Sequence, residues 1–248
     1  MRSFVRINMF KEKKIVAIIP ARKGSKGIKN KNIIKLNNKP LISFSIDYAK
    51  NSKLIDRVFV STDGNKISNI AKKYGAEIIK RPKKISGDKS SSDEAIIHSI
   101  KYIQEKLNYK FDIVVFLQPT TPLRQLGELD KAIKYFEKKK FDTVFSSVNY
   151  IPFLWRKKNK NFLPVNFEKF KRKRRQEIFT VNETGSFYIT KKETFLKFKN
   201  RFGRKVSNFN SDYHALLEID NYRDYIYIND LLKTNIPKKY KICIPKKK

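Results

Sequence analysis

Seven consecutive residues, Ala21-Arg22-Lys23-Gly24-Ser25-Lys26-Gly27, follow a short apolar run that ends at Pro20. Two of the chain's 8 glycines lie here, and Arg22, Lys23, Lys26 and the nearby Lys31 bring four cations to them. Glycine lets backbone N–H groups close on an anion, while arginine and lysine supply the opposing charge. The stretch is neither GxGxxG nor GxxxxGK[ST], so it is not a standard dinucleotide or P-loop fingerprint. An ordinary basic surface loop has the same composition. A second group is Gln118-Pro119-Thr120-Thr121-Pro122-Leu123-Arg124. Two prolines stiffen it, and Gln118 and Arg124 offer directed donors to a base or a carboxylate. A third is Glu218-Ile219-Asp220, followed by Asp224. Carboxylates two apart on a strand point the same way and suit an oxygen-ligated Mg²⁺. The alternative is a solvated strand end with Asp220 capping the next helix.

These groups acquire meaning from the elements that hold them. Short apolar runs at Lys14–Pro20, Arg57–Ser61, Ala76–Lys80, Ile113–Leu117, Thr143–Val148 and Ser186–Thr190 read as strands, with a last one at Leu216–Ile219. Helical patterns lie between them: from Pro40, from an Asp63 cap to Tyr74, from Ser92 to Leu107, over Gly127–Lys139, near Lys191–Phe198 and over Asn221–Leu232. Alternating strands and helices predict an α/β fold, a Rossmann-like, mostly parallel sheet flanked by helices. In such sheets ligands bind beyond the carboxyl ends of the strands, where all three groups fall. Residues 150–182 break the alternation and read as an inserted lobe or flap. The chain thus divides into a loose leader over 1–13, a main α/β domain over 14–235 and a basic tail over 236–248.

Composition narrows the classes. The chain has 248 residues, 40% of them hydrophobic, enough to build a core and to exclude global disorder. No apolar run approaches the roughly 20 residues of a membrane span, and no secretory signal opens the chain, so a cytoplasmic location is expected. One cysteine, Cys243, excludes an internal disulfide framework, and 2 histidines leave little room for a zinc site. His98 and His214 read as packing or surface residues, and Trp155 as packing within the flap. The net charge is +34, with 57 Lys+Arg against 23 Asp+Glu spread along the chain. Dispersed lysine reads as solvated surface, whereas a specific nucleic-acid footprint would cluster on one element. Such a field also draws in a small polyanion such as a nucleoside triphosphate.

The blocks IIPARKGSKGIKNKN (18–32), VSTDGNKISNIAKKYGAEIIKRP (60–82), DKSSSDEAIIHSI (88–100), FLQPTTPLR (116–124), ETGSFYI (183–189) and EID (218–220) occur in that order. Together they resemble the cytidylyltransferases of the acylneuraminate type, the CMP-sialic acid synthetases. The resemblance covers about residues 14–235. It implies transfer from CTP to a nine-carbon 2-keto sugar acid of sialic, legionaminic or pseudaminic type, with Mg²⁺, giving a CMP-sugar for surface glycans and pyrophosphate. By motif, Ala21, Arg22, Gly24, Ser25, Lys26, Gly27 and Lys31 would hold the triphosphate, with Asn32 supporting the loop. Arg81 and Ser91 would line the nucleotide pocket. Gln118, Thr120, Arg175 and Tyr188 would meet the sugar, and Asp220 with Glu218 would carry the metal. Lys31, Arg22 and Asp220 would be catalytic. Thr184 stands where many members have asparagine, and Glu218 where some have aspartate. The flap would help form a homodimer across the active site, with Arg175 serving its own or a neighbouring subunit. Another sugar, another nucleotide, or a basic nucleic-acid-binding module are the competing readings.

Overall fold

A computed structural model describes residues 13–25, 27–150, 152–178 and 180–246. The expected leader therefore lies outside the described residues except for Lys13, whose ammonium pairs with Glu137 at 2.7 Å. A seven-stranded sheet forms the centre. In chain order its strands are β1 (Ile15–Pro20), β4 (Arg57–Thr62), β5 (Glu77–Lys80), β6 (Ile113–Leu117), β7 (Thr143–Val148), β10 (Asn182–Lys191) and β11 (Val206–Asn210). Across the sheet they run β11-β7-β10-β6-β1-β4-β5, and β10 is antiparallel to both its neighbours while the other pairings are parallel. The mostly parallel α/β sheet inferred from sequence is present.

The apolar strands belong there because both faces of the sheet are covered. In β1, Ile15, Ala17 and Ile19 point into one core, and Val16 and Ile18 into the other. The first core takes α1 (Leu41–Lys50), α2 (Asn65–Lys73) and α4 (Glu128–Lys139) through residues such as Ile46, Ala71 and Phe136. The second takes α3 (Ser92–Glu105) through Ile96, Ile100 and Ile103, and α5 (Lys192–Phe198) through Phe195. A third core joins Ile28, Leu123, Ile219 and Ile242 to α6 (Tyr222–Leu231). It lies beneath the loops that follow β1 and β6, and it anchors each of them by one buried residue.

Several local expectations fail for identifiable reasons. Leu216–Ile219 is not a strand; a 3₁₀ turn covers Tyr213–Leu216, and Ile219 N–H donates to Thr120 O at 2.8 Å. Asp63 does not cap α2, whose N-cap is Gly64; its carboxylate accepts from Lys23 N–H at 2.7 Å. Asp220 does not cap α6 either, because Asn221 does so through a reciprocal box with Asp224. The edge strand β11 was not foreseen, since VSNFN is polar and only partly buried. The flap holds an antiparallel hairpin, β8 (Trp155–Lys158) and β9 (Asn161–Pro164), apart from the main sheet. The described part of the tail, up to residue 246, is docked: α7 (Ile236–Lys239) leads to a bridge between Gln125 and Ile242, and Cys243 is buried. Two residue pairs, Lys35–Leu36 and Lys39–Pro40, complete the described elements as the small hairpin β2–β3. Among the described residues no helix is long and apolar enough to cross a membrane.

Candidate functional site

The strand order β5-β4-β1-β6 reverses direction of growth between β1 and β6, so their exit loops part there and open a crevice. A cleft of about 430 Å³ occupies this position. From the β1 exit it is lined by Arg22, Gly24, Ser25, Gly27, Lys31 and Asn32. From the β6 exit come Gln118, Pro119 and Thr120, with Phe116 behind them, and Asp220 closes one side. Ser90–Ser92 and Arg81 form the remaining wall.

The β1 loop is held by its own polar side chains. Asn32 Nδ2 donates to Arg22 O at 2.9 Å, and Asp63 holds the Lys23 amide. Arg22 pairs with Asp88 at 2.6 Å, and Lys31 with Asp220 at 3.0 Å. Gly27 is required by close approach, since a Cβ there would lie 2.2 Å from Asp220 O. The loop and the Asp220 turn are therefore packed backbone to backbone. Ala21 is buried beneath the loop and does not face the cleft. Lys26 lies outside the described residues.

On the opposite wall, Arg81 is buried, with its guanidinium donating to Ser61 O at 2.8 Å and Ser61 Oγ at 3.3 Å. Burial lowers its pKa to about 10, so it remains a cation at neutral pH. Ser91 is the N-cap of α3 and forms a capping box with Glu94, which directs the first turn of that helix at the cleft.

At the β6 exit the outcome is divided. Gln118 and Thr120 reach the cleft, but Arg124 does not. Its side chain is 1% exposed and makes five hydrogen bonds: to Ser186 O (3.1 and 2.8 Å), Ser186 Oγ (3.0 Å), Ser45 Oγ (3.1 Å) and Gln118 O (2.6 Å). The sequence reading of Arg124 as a donor to ligand is thus corrected. It clamps the exit loop from below, and burial lowers its pKa to about 10. Thr184 also turns inward, with its hydroxyl 2.7 Å from Ser146 Oγ.

The carboxylates separate as well. Asp220 is at the cleft and exposed, whereas Glu218 is partly buried and accepts from Thr121 Oγ1 at 3.1 Å. Burial raises the Glu218 pKa, Thr121 opposes that shift, and Asp220 adds to it. Glu218 Oε1 and Gln118 Oε1 both crowd Gly185, at 2.4 and 2.2 Å from where a Cβ would stand, and its φ of +63° is one that glycine adopts without strain. Tyr188 is buried one layer behind the cleft. Its ring stacks on Phe116 at 5.2 Å between centroids, and its hydroxyl donates to Glu183; burial first, then Glu183, raises its pKa. Arg175 opens a 3₁₀ turn, Arg175–Glu177, and only its backbone is described. Sequence reasoning missed Arg201, which stacks on Phe116 and Tyr188. It follows a helix rather than a strand, so a search of strand exits passes over it.

The arrangement is a basic cleft, with Arg22, Lys31 and the glycine-containing loop on one side, hydroxyl and amide groups on the other, and the Asp220 carboxylate at the junction. It suits a polyanion beside a polar acceptor. A CMP:2-keto-3-deoxy-manno-octonic acid synthetase complexed with CTP has a similar structure: TM-score 0.67, 13% identity, covering 89% of this chain and 98% of that one. At that identity the likeness shows the fold alone. The N-acylneuraminate cytidylyltransferase of Escherichia coli O18:K1:H7 is 32% identical over 86% of this chain, which spans 50% of the length of that relative. The post-translational flagellin modification protein B of Campylobacter coli is 30% identical over 88% of this chain and 95% of its own length. The sequence profile described as cytidylyltransferase matches residues 16–247. The chain belongs to the cytidylyltransferase family.

Proposed function

We propose that the chain transfers the cytidylyl group of CTP to a nine-carbon 2-keto sugar acid, releasing pyrophosphate. The carrying observation is the cleft at the β1/β6 switch point, basic on its triphosphate side and bearing Gln118 and Thr120 on its acceptor side. The names of the relatives supply the substrate class. The sugar's anomeric oxygen forms a bond to the α-phosphorus as the bond to the departing pyrophosphate breaks, with loss of the hydroxyl proton. Negative charge grows on the phosphoryl and leaving oxygens, so positioned cations contribute more than a protein nucleophile. In this reading Arg22, Gly24, Ser25, Lys26, Gly27 and Lys31 cradle the triphosphate, with Lys31 nearest the developing charge. Arg81 and Ser91 hold the nucleoside; Gln118, Thr120 and Arg175 meet the sugar, with Tyr188 backing them.

The donor set fits a divalent ion of the Mg²⁺ kind. Among the described residues no cluster of three or more potential ligands exists, yet Mg²⁺ commonly takes one or two carboxylates together with substrate phosphates. Asp220, the carboxylate that lines the cleft, would hold it, with Glu218 as the second carboxylate behind it on Thr121, and bound there it would neutralise phosphate charge.

Pyrophosphate release measured with CTP, GTP, UTP and ATP against sialic, legionaminic and pseudaminic acids tests the reading. Turnover with CTP, a divalent ion and one of these acids is expected. Turnover only with another nucleotide, or tight nucleic-acid binding with a steep salt slope and no turnover, would overturn it. A homodimer formed through the flap is part of the same proposal, supported by the exposed Trp155, Phe162 and Val165. Sedimentation should give the mass of two chains, and deleting residues 155–164 should give one. A monomeric full chain would refute the dimer.

A further inference from the structure

Arg201 sits in the turn after α5, and its side chain is 13% exposed. Its guanidinium lies 4.6 Å from the ring centre of Phe116 and 4.6 Å from that of Tyr188. Nε donates to Asp93 Oδ1 at 3.0 Å, and a terminal nitrogen to Ser92 Oγ at 2.5 Å. The Arg201 carbonyl accepts from Thr143 Oγ1 at 2.6 Å and from Thr190 Oγ1 at 3.1 Å. The side chain is therefore launched from a fixed point on β7 and β10. Arg201 does not line the cleft, but Ser92 and Phe116 do. One planar cation thus joins the first turn of α3, in the wall, to the aromatic floor of β6. A planar guanidinium can lie face-on to aromatic rings while its N–H groups donate in its own plane, a geometry that a tetrahedral ammonium lacks.

We propose that Arg201 is a positioning residue that sets the separation between the Ser90–Ser92 wall and the Phe116 floor, and so governs nucleotide affinity rather than the chemical step. The identity of the nucleotide as CTP rests on the reading above; the positioning does not. Arg201→Gln should raise the KM for CTP roughly tenfold with kcat nearly unchanged, the pattern of lost uniform binding. Arg201→Lys keeps the pairing with Asp93 and should recover part of that loss. Deuterium exchange of unliganded protein gives a readout independent of turnover. The peptide over 86–97 should exchange faster in Arg201→Gln, while β6 is unaltered. Faster exchange throughout the chain, or a fall in kcat with KM unchanged, would overturn the proposal. If wild-type protein releases no pyrophosphate from CTP, the cytidylyl reading fails, and exchange in the 86–97 peptide still decides the role of Arg201.

Discussion

Replacing Lys31 by alanine is expected to lower kcat by roughly 10²-fold, about 2.7 kcal/mol of transition-state stabilisation, while hardly changing stability. Two effects compete in that substitution. Lys31 loses its pairing with Asp220, in which the lysine side chain is 15% exposed and the aspartate 69%. An ion pair with one partner so open to water contributes only about 0–1 kcal/mol to folding. The catalytic effect is expected to be larger because, in the proposed reaction, charge builds on phosphoryl oxygens inside a cleft, where a fixed cation needs no reorganisation. Single-turnover rates and denaturation midpoints, measured on the same preparation, separate the two. Unchanged turnover would remove Lys31 from the mechanism. A fall in turnover matched by a comparable loss of stability would make its role structural.

The second large effect is the reverse in kind. Arg124→Met should destabilise the chain by about 3 kcal/mol, because Gln118 O and Ser186 O each lose a charged donor inside the protein. Part of what is lost returns, since the guanidinium no longer has to be held away from water. Net destabilisation still follows, as Ser186 O loses both of its arginine donors and Gln118 O keeps only the 3.3 Å donation from Ser45 Oγ. Ser186 lies where the β7–β10 register shifts, between Glu183 and Tyr188, so the ladder is interrupted around it. Urea midpoints read the effect directly. A midpoint within error of wild type would show that water and the existing Ser45 donation suffice in place of the arginine. Residual folded Arg124→Met should also turn over poorly, since the carbonyl of Gln118 is what the arginine fixes.

The parallel sheet was legible because β1 and β6 are apolar on both faces, and only strands buried on both sides have that composition. The β1 loop was legible because glycine and cations coincide at a strand exit. Both signals are local. Contacts between distant segments decided the rest. EID resembles a strand end, yet its backbone pairs with Thr120 and its two carboxylates part, one to Thr121 and one to Lys31. Arg124 carries the same charge and donors in the sequence whether it faces ligand or core, and only the packing of Ser45, Gln118 and Ser186 around it settles which. Arg201 gives no local signal, since the partners of its side chain are 13 to 109 residues away. Periodicity and turn chemistry act over a few residues and so can be read along the chain. Burial, and the choice of partner for a charged side chain, depend on segments that meet only after folding.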